Sequence, residues 1–237
     1  TQPLILSIER SDGTIAGTLQ MPLKISAVET MFRHLNLRSV NTKYSGAPNS
    51  PSDVGPPDRM SDPGAPLPDS STNGKYFVFV HGYNVGAERA RGWQAEVFKR
   101  LHRMGSTARF VGVSWYGSTG LDYHEAVFNA FQTGDVLAGR LQAGGVAGDV
   151  TIAAHSLGNM VVSHAIQYGG LNPSRYYMIN AAVPLEAYDN DNNGSVTPEQ
   201  HGKMTESKWQ TVPASTFASN WHSHFSSTPS DQRNGLS

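Results

Sequence analysis

Val150-Thr151-Ile152-Ala153-Ala154-His155-Ser156-Leu157-Gly158 is an apolar, β-branched run that meets a serine and turns at once into a helical pattern. A buried strand that delivers a serine at a tight turn, with glycine just past it and a helix after, exposes a hydroxyl for nucleophilic attack. The residues around this stretch decide whether Ser156 has an oxyanion site, a base and an acid.

Upstream, Tyr76-Phe77-Val78-Phe79-Val80 is the continuous apolar run of a strand buried on both faces, and it ends in His81-Gly82-Tyr83-Asn84. A helix is expected from about Ala87, with Ala90, Trp93, Val97, Phe98, Leu101 and Met104 on one face and Gly105 as its stop. Arg109-Phe110-Val111-Gly112-Val113-Ser114-Trp115 reads as another buried strand. A helix through Ala126, Val127, Ala130, Phe131, Leu137 and Leu141 follows it and closes at Gly144-Gly145. Beyond Ser156, a helix through Leu157, Met160, Val161, Ala165 and Tyr168 stops at Gly169-Gly170. Tyr176-Tyr177-Met178-Ile179-Asn180-Ala181-Ala182 then reads as a further strand. This alternation predicts an α/β fold, with a mostly parallel sheet, helices on both faces and right-handed crossovers. Ligands of such sheets sit at the carboxyl ends of the strands, where both His81-Gly82 and Ser156 fall.

The first part, residues 1–44, is expected to form a β-hairpin and a helix. Leu4-Ile5-Leu6-Ser7-Ile8 and Thr14-Ile15-Ala16-Gly17-Thr18-Leu19 flank the turn signal Ser11-Asp12-Gly13. A hairpin alone is marginal, so this one is expected to pack on something, either within the main sheet or as the tail of a separate β unit. Val28, Met31, Phe32 and Leu35 have helical spacing, with Ser26 and Glu29 as a capping box. Residues 45–74 carry a dense cluster of proline with Gly, Ser and Asp, which no periodic core face can be built from. They read as a linker or a long surface loop, and residues 75–237 as the main domain.

Composition excludes more than it selects. Across 237 residues, 18 Lys+Arg against 19 Asp+Glu leave a net charge of −1, so neither nucleic acid nor an anionic membrane is an expected partner. No apolar run reaches about 18 residues, so no transmembrane helix is expected. With no cysteine there is no disulfide framework and no thiolate chemistry. The chain begins at Thr1 and is read as processed or excised; its Gly, Pro, Ser and Asn content leans towards a secreted or periplasmic protein. Oligomeric state is not legible.

Ser156 is a weak nucleophile until a base takes its proton, and Ala154 and Gly158 keep the turn clear for that. The bland alternative is a serine capping the next helix. Charge developing on a tetrahedral intermediate needs preorganised donors. The Leu157 backbone N–H, at a helix start, is one candidate, and the Tyr83 backbone N–H, on the loop after the Tyr76 strand, is the other. Glycine at 82 lets backbone approach a substrate. His81 is expected to support that loop rather than act as base, and His155 to point away from Ser156.

Phe79-Val80-His81-Gly82-Tyr83-Asn84-Val85, Ser114-Trp115-Tyr116 and Ala154-His155-Ser156-Leu157-Gly158-Asn159 resemble the α/β-hydrolase superfamily, especially bacterial lipase- and esterase-like members. The likeness spans roughly residues 75 to 185. It implies an α/β-hydrolase-type sheet and a serine hydrolase that cleaves small-molecule or lipid carboxylic esters, with no required cofactor. It also implies an acid and then a histidine later in the chain. The glycine usual two residues before the serine is Ala154 here. Strands that would carry the acid and histidine are not recognisable after the Tyr176 strand, so the chain is expected to be part of a longer hydrolase.

Within the chain, Asp189 is the candidate acid, because some superfamily members take it from this region, and His222 or His224 is the candidate base. The latter two also read as solvated loop histidines. Asp189-Asn190-Asp191-Asn192-Asn193-Gly194-Ser195-Val196-Thr197-Pro198-Glu199-Gln200 resembles a twelve-residue calcium loop, with Asp189, Asp191, Asn193, Ser195 and Gln200 as ligands of a structural Ca²⁺. Position twelve is Gln200 instead of glutamate, and an Asn/Asp/Gly surface loop has the same composition. Asp189 cannot readily serve both roles. A helical piece is expected around residues 199–209. Two rival functions remain beside the esterase: an amidase or peptidase using the same site, and a non-catalytic binding module on the same fold.

Overall fold

The computed structural model of the chain describes residues 3–22, 27–40, 51–120 and 123–183. Its centre is a five-stranded sheet in the order β3-β5-β4-β6-β7. The strands are β3 (Arg33–Asn36), β4 (Tyr76–Val80), β5 (Arg109–Ser114), β6 (Val150–His155) and β7 (Arg175–Ile179), and every pairing between them is parallel. Helices α2 (Ala87–Arg103), α3 (Tyr123–Ala143) and α4 (Gly158–Gln167) connect β4 to β5, β5 to β6 and β6 to β7.

Pairing register sorts the side chains into two layers. Val78 lies beside Val111 and Ile152, and Val80 beside Val113 and Ala154, so one face is a row of small β-branched and aliphatic groups. That face packs on Ala130, Phe131 and Leu137 of α3 and on Met160, Val161 and Ala165 of α4. Phe79, Phe110 and Ala153 on the other face pack on Phe98 of α2 and on Phe32. Both faces are covered over β4, β5 and β6, which is why these central strands read as largely apolar runs. The glycine stops act as expected: Gly105, Gly145 and Gly170 have φ of +86°, +80° and +72°.

Three expectations are corrected or sharpened. No α-helix covers Val28 to Leu35: a short 3₁₀ turn, Val28–Met31, gives way to β3, so the sheet gains a strand. The helical spacing of apolar residues there is overridden by parallel pairing of Arg33–Asn36 with Val111–Ser114, which buries Phe32, Leu35 and Leu37. The turn's N-cap is Ala27, with no side-chain cap, and Ser26 lies outside the described residues. The hairpin β1 (Pro3–Glu9) and β2 (Ile15–Pro22) forms its own two-stranded antiparallel sheet, apart from the main one, and its residues are exposed throughout. The last strand is shorter than its apolar run and ends at Ile179, on the edge of the described sheet.

Residues 51–74 are tied to β3 despite their composition. They include the one-turn helix α1 (Pro51–Val54) and a 3₁₀ turn, Asp69–Ser71. The Asn36 N–H donates to the Asp58 carboxylate at 2.6 Å, and its side-chain amide donates to the carbonyls of Val54 and Pro56. Arg33 reaches Asp69 at 2.5 Å. No described helix is long and apolar enough to cross a membrane.

Candidate active site

In the sheet order, β4 connects towards β5 on one side while β6 connects towards β7 on the other. The two strands are neighbours, so the loops leaving their carboxyl ends diverge and leave a crevice, the usual ligand position in open parallel sheets. The loop after β4 carries His81 to Val85, and the turn after β6 carries Ser156.

Ser156 has φ of +51°, the left-handed region that costs a non-glycine residue about 1–2 kcal/mol. Such a conformation persists where the surroundings over-determine it. The Ser156 N–H donates to the Ile179 carbonyl at 2.9 Å. Its carbonyl accepts from the N–H groups of Asn159 at 3.1 Å and Ala182 at 3.2 Å, and from Asn159 Nδ2 at 2.8 Å. The Tyr176 hydroxyl donates to Asn159 Oδ1 at 2.8 Å, which orients that amide with its nitrogen towards Ser156. Asn159 is fully buried and is therefore a positioning residue for the turn.

The two glycines are needed for contact. A Cβ at Gly158 would lie 2.4 Å from the His81 carbonyl oxygen and 2.9 Å from that of Val80. A Cβ at Gly82 would lie 2.8 Å from the Ser156 Cβ. The β4 loop and the serine turn are thus in direct contact, and only bare backbone fits between them.

His81 holds the loop in place. It is fully buried, its Nε2 accepts from the Trp115 backbone N–H at 3.1 Å, and its Nδ1 is 2.9 Å from the Gly82 carbonyl. Because a backbone N–H only donates, Nε2 is the acceptor and Nδ1 carries the proton. Burial pushes its pKa down to about 3, so the ring is neutral and both nitrogens are committed. The Trp115 indole N–H returns a bond to the His81 carbonyl at 2.7 Å. Asn84, at φ +55°, donates its N–H to Gly117, and the Tyr83 hydroxyl donates to Gly120.

Arg38 was not visible as a site residue from the sequence, yet it ties these loops together. Its fully buried guanidinium donates to the carbonyls of Asp53, Val85 and Trp115 and to the Ser118 hydroxyl. It also lies over the Tyr116 ring, 5.3 Å from the centroid. Five donors in a fixed fork can hold several carbonyls at once, which lysine cannot do.

Neither the Leu157 N–H nor the Tyr83 N–H meets an acceptor among the described residues. Leu157 caps α4, so its amide also feels the positive end of that helix. His155 packs against Trp93 of α2, ring centroids 5.0 Å apart, and burial lowers its pKa. No hydrogen bond reaches the Ser156 hydroxyl among the described residues. Asp189, His222 and His224, and the calcium-loop residues Asp191, Asn193, Ser195 and Gln200, lie outside the described residues, as does the stretch 199–209. Among the described residues no group of three or more His, Asp or Glu side chains could hold a metal ion.

No family model, no curated protein and no solved structure matches the chain.

Proposed function

We propose that the chain is a serine hydrolase of α/β-hydrolase type that cleaves carboxylic esters through an acyl-enzyme on Ser156. The observation that carries this reading is the strained Ser156 at a strand–helix turn, with the uncommitted N–H groups of Leu157 and Tyr83 on the two loops that touch there. A serine that merely caps a helix has no use for a left-handed backbone, and the capping bond itself is absent at α4.

In this reading the Ser156 Oγ attacks the acyl carbonyl and passes its proton to a histidine, which returns it to the departing alcohol. The carbonyl oxygen takes the negative charge and is met by the Leu157 and Tyr83 N–H groups, each worth about 3 kcal/mol of barrier. Water then attacks the acyl-serine and releases the acid. His222 or His224 is assigned as the base and Asp189 as the acid that orients it. A structural calcium ion on the loop at residues 189–200 competes for Asp189, and a melting temperature insensitive to chelator would remove it. Turnover of p-nitrophenyl esters by the full chain, lost in Ser156→Ala, tests the assignment. Turnover that survives Ser156→Ala would overturn it.

A second reading, a binding module without catalysis, is favoured by one observation: the Ser156 hydroxyl has no base against it among the described residues. A chain that binds esters without releasing alcohol fits this second reading.

A further inference from the structure

The α2 face of the sheet holds a second cleft, unrelated to Ser156. It lies beside β3, three strand spacings from β6, or roughly 14 Å at about 4.8 Å per strand. The cleft has a volume of about 300 Å³ and opens between the turn Val28–Met31, residues 56–59 and α2. Phe32, Pro56 and Pro57 give it an apolar wall, and His34 and Gln94 line it from the buried side.

The polar groups there form a chain. His34 Nε2 is 2.9 Å from the Ser114 Oγ, and Gln94 Nε2 donates to the same oxygen at 3.0 Å. With its nitrogen donating to Ser114, the Gln94 amide has its oxygen left over. Gln94 is fully buried, and its Oε1 has no partner among the described residues. Space for this side chain is reserved by Gly112, where a Cβ would fall 2.4 Å from the Gln94 Cδ.

A donor is also left over. Arg59 Nη2 donates to the Phe32 carbonyl at 3.0 Å, while its Nε–H is buried with no acceptor among the described residues. The other charges lining the cleft are matched: Glu29 faces Arg91 at 3.5 Å, and Asp58 pairs with Arg140 at 2.5 Å. Arg59 pairs with no carboxylate among the described residues, so the cleft has one positive charge to spare and suits a monoanion.

We propose that this cleft binds a small hydroxycarboxylate with an apolar body. The carboxylate lies against the Arg59 guanidinium, the hydroxyl donates to Gln94 Oε1, and the body packs on Phe32, Pro56 and Pro57. At about 30 Å³ per water-sized volume, the cleft has room for an aryl hydroxy acid. The proposal is independent of any chemistry at Ser156.

Calorimetric titration of the full chain with mandelate, phenylacetate and benzyl alcohol tests it. Mandelate is expected to bind saturably at one site, phenylacetate about tenfold more weakly for want of the hydroxyl, and benzyl alcohol not measurably. Gln94→Met should bring mandelate down to the phenylacetate level and leave phenylacetate unchanged, a pattern that general loss of structure does not produce. Arg59→Gln should abolish binding of both acids. If that variant melts early, Arg59→Lys, which keeps the charge without the Nε–H, should weaken both about tenfold. Ser156→Ala should leave every isotherm as it is. Equal affinity for mandelate and phenylacetate, no saturable mandelate binding, or loss of binding in Ser156→Ala overturns the proposal.

Discussion

The turn at Ser156 and the β1–β2 hairpin are both tight reversals of the chain, but they are held in different ways. At Ser156 the N–H and the carbonyl are both bonded to β7 or the segment after it, and Gly158 presses against the β4 loop. The hairpin is held by its own ladder. Leu4 faces Met21 and Leu6 faces Leu19, yet all four side chains are at least 41% exposed. The contrast separates a turn that the whole sheet enforces from one that its local sequence suffices to make. A left-handed serine needs the first kind of support, because nothing in its own preference keeps it there. Asp12, which accepts from the Thr14 N–H, and Gly13 at φ +83° form the second kind unaided.

Substitutions should divide along the same line. The largest effect is expected for Gly158→Ala, whose Cβ meets backbone carbonyls that cannot step aside. A loss of about 3 kcal/mol or more in urea unfolding is expected, and a loss under 1 kcal/mol would mean the β4 loop is not in contact with the turn. Asn159→Leu should follow at about 2 kcal/mol, since it removes the bond to the Ser156 carbonyl and the side-chain oxygen that accepts from the Tyr176 hydroxyl at 2.8 Å. Gains from better apolar burial would contradict this.

Acid should weaken the sheet and spare the hairpin. His34 and His81 are held neutral in the fold, with pKa values pushed by burial to about 4 and about 3, against 6.5 when unfolded. The unfolded state therefore takes up protons that the folded state refuses, so stability is full above about pH 6.5 and falls as the pH drops towards 4. The urea midpoint followed by tryptophan fluorescence should be lower at pH 5 than at pH 7, and equal midpoints would contradict the buried neutral histidines. Residues 3–22 contain no histidine and should not share the trend. The smallest effect is expected for Leu6→Ser, about 0.5 kcal/mol or less on the sheet's unfolding. A larger loss would mean that the hairpin is part of the same cooperative unit.

Much of this contrast was legible in the sequence. β4, β5 and β6 are unbroken apolar runs because both sheet faces are covered, and such runs depend on no distant partner to be recognised. β3 was misread for the opposite reason. Arg33, His34 and Asn36 are buried polar residues whose partners Asp69, Ser114 and Asp58 lie far along the chain, so the strand carries no apolar signal of its own. Val28, Met31, Phe32 and Leu35, the last of them inside the strand, fall at helical spacing. The serine turn was recognisable because Ala154, Ser156 and Gly158 stand together in the sequence, although the His81 and Val80 carbonyls that Gly158 must clear lie far from it along the chain. The support given by Arg38 was not, since it depends on carbonyls at Val85 and Trp115 that only the fold brings together. Asn159 stood three residues after the serine, where a side chain can reach back to its carbonyl, and that spacing was the one available signal.

Whether Ser156 is an activated nucleophile is read by treating the folded chain with a fluorophosphonate probe and mapping the adduct by peptide mass, with Ser156→Ala alongside. A single adduct on Ser156, absent from the variant, is expected, because phosphonylation requires both an activated hydroxyl and donors for the developing oxyanion. A chain that is folded by circular dichroism and takes up no probe, or a label that persists in Ser156→Ala, would contradict it.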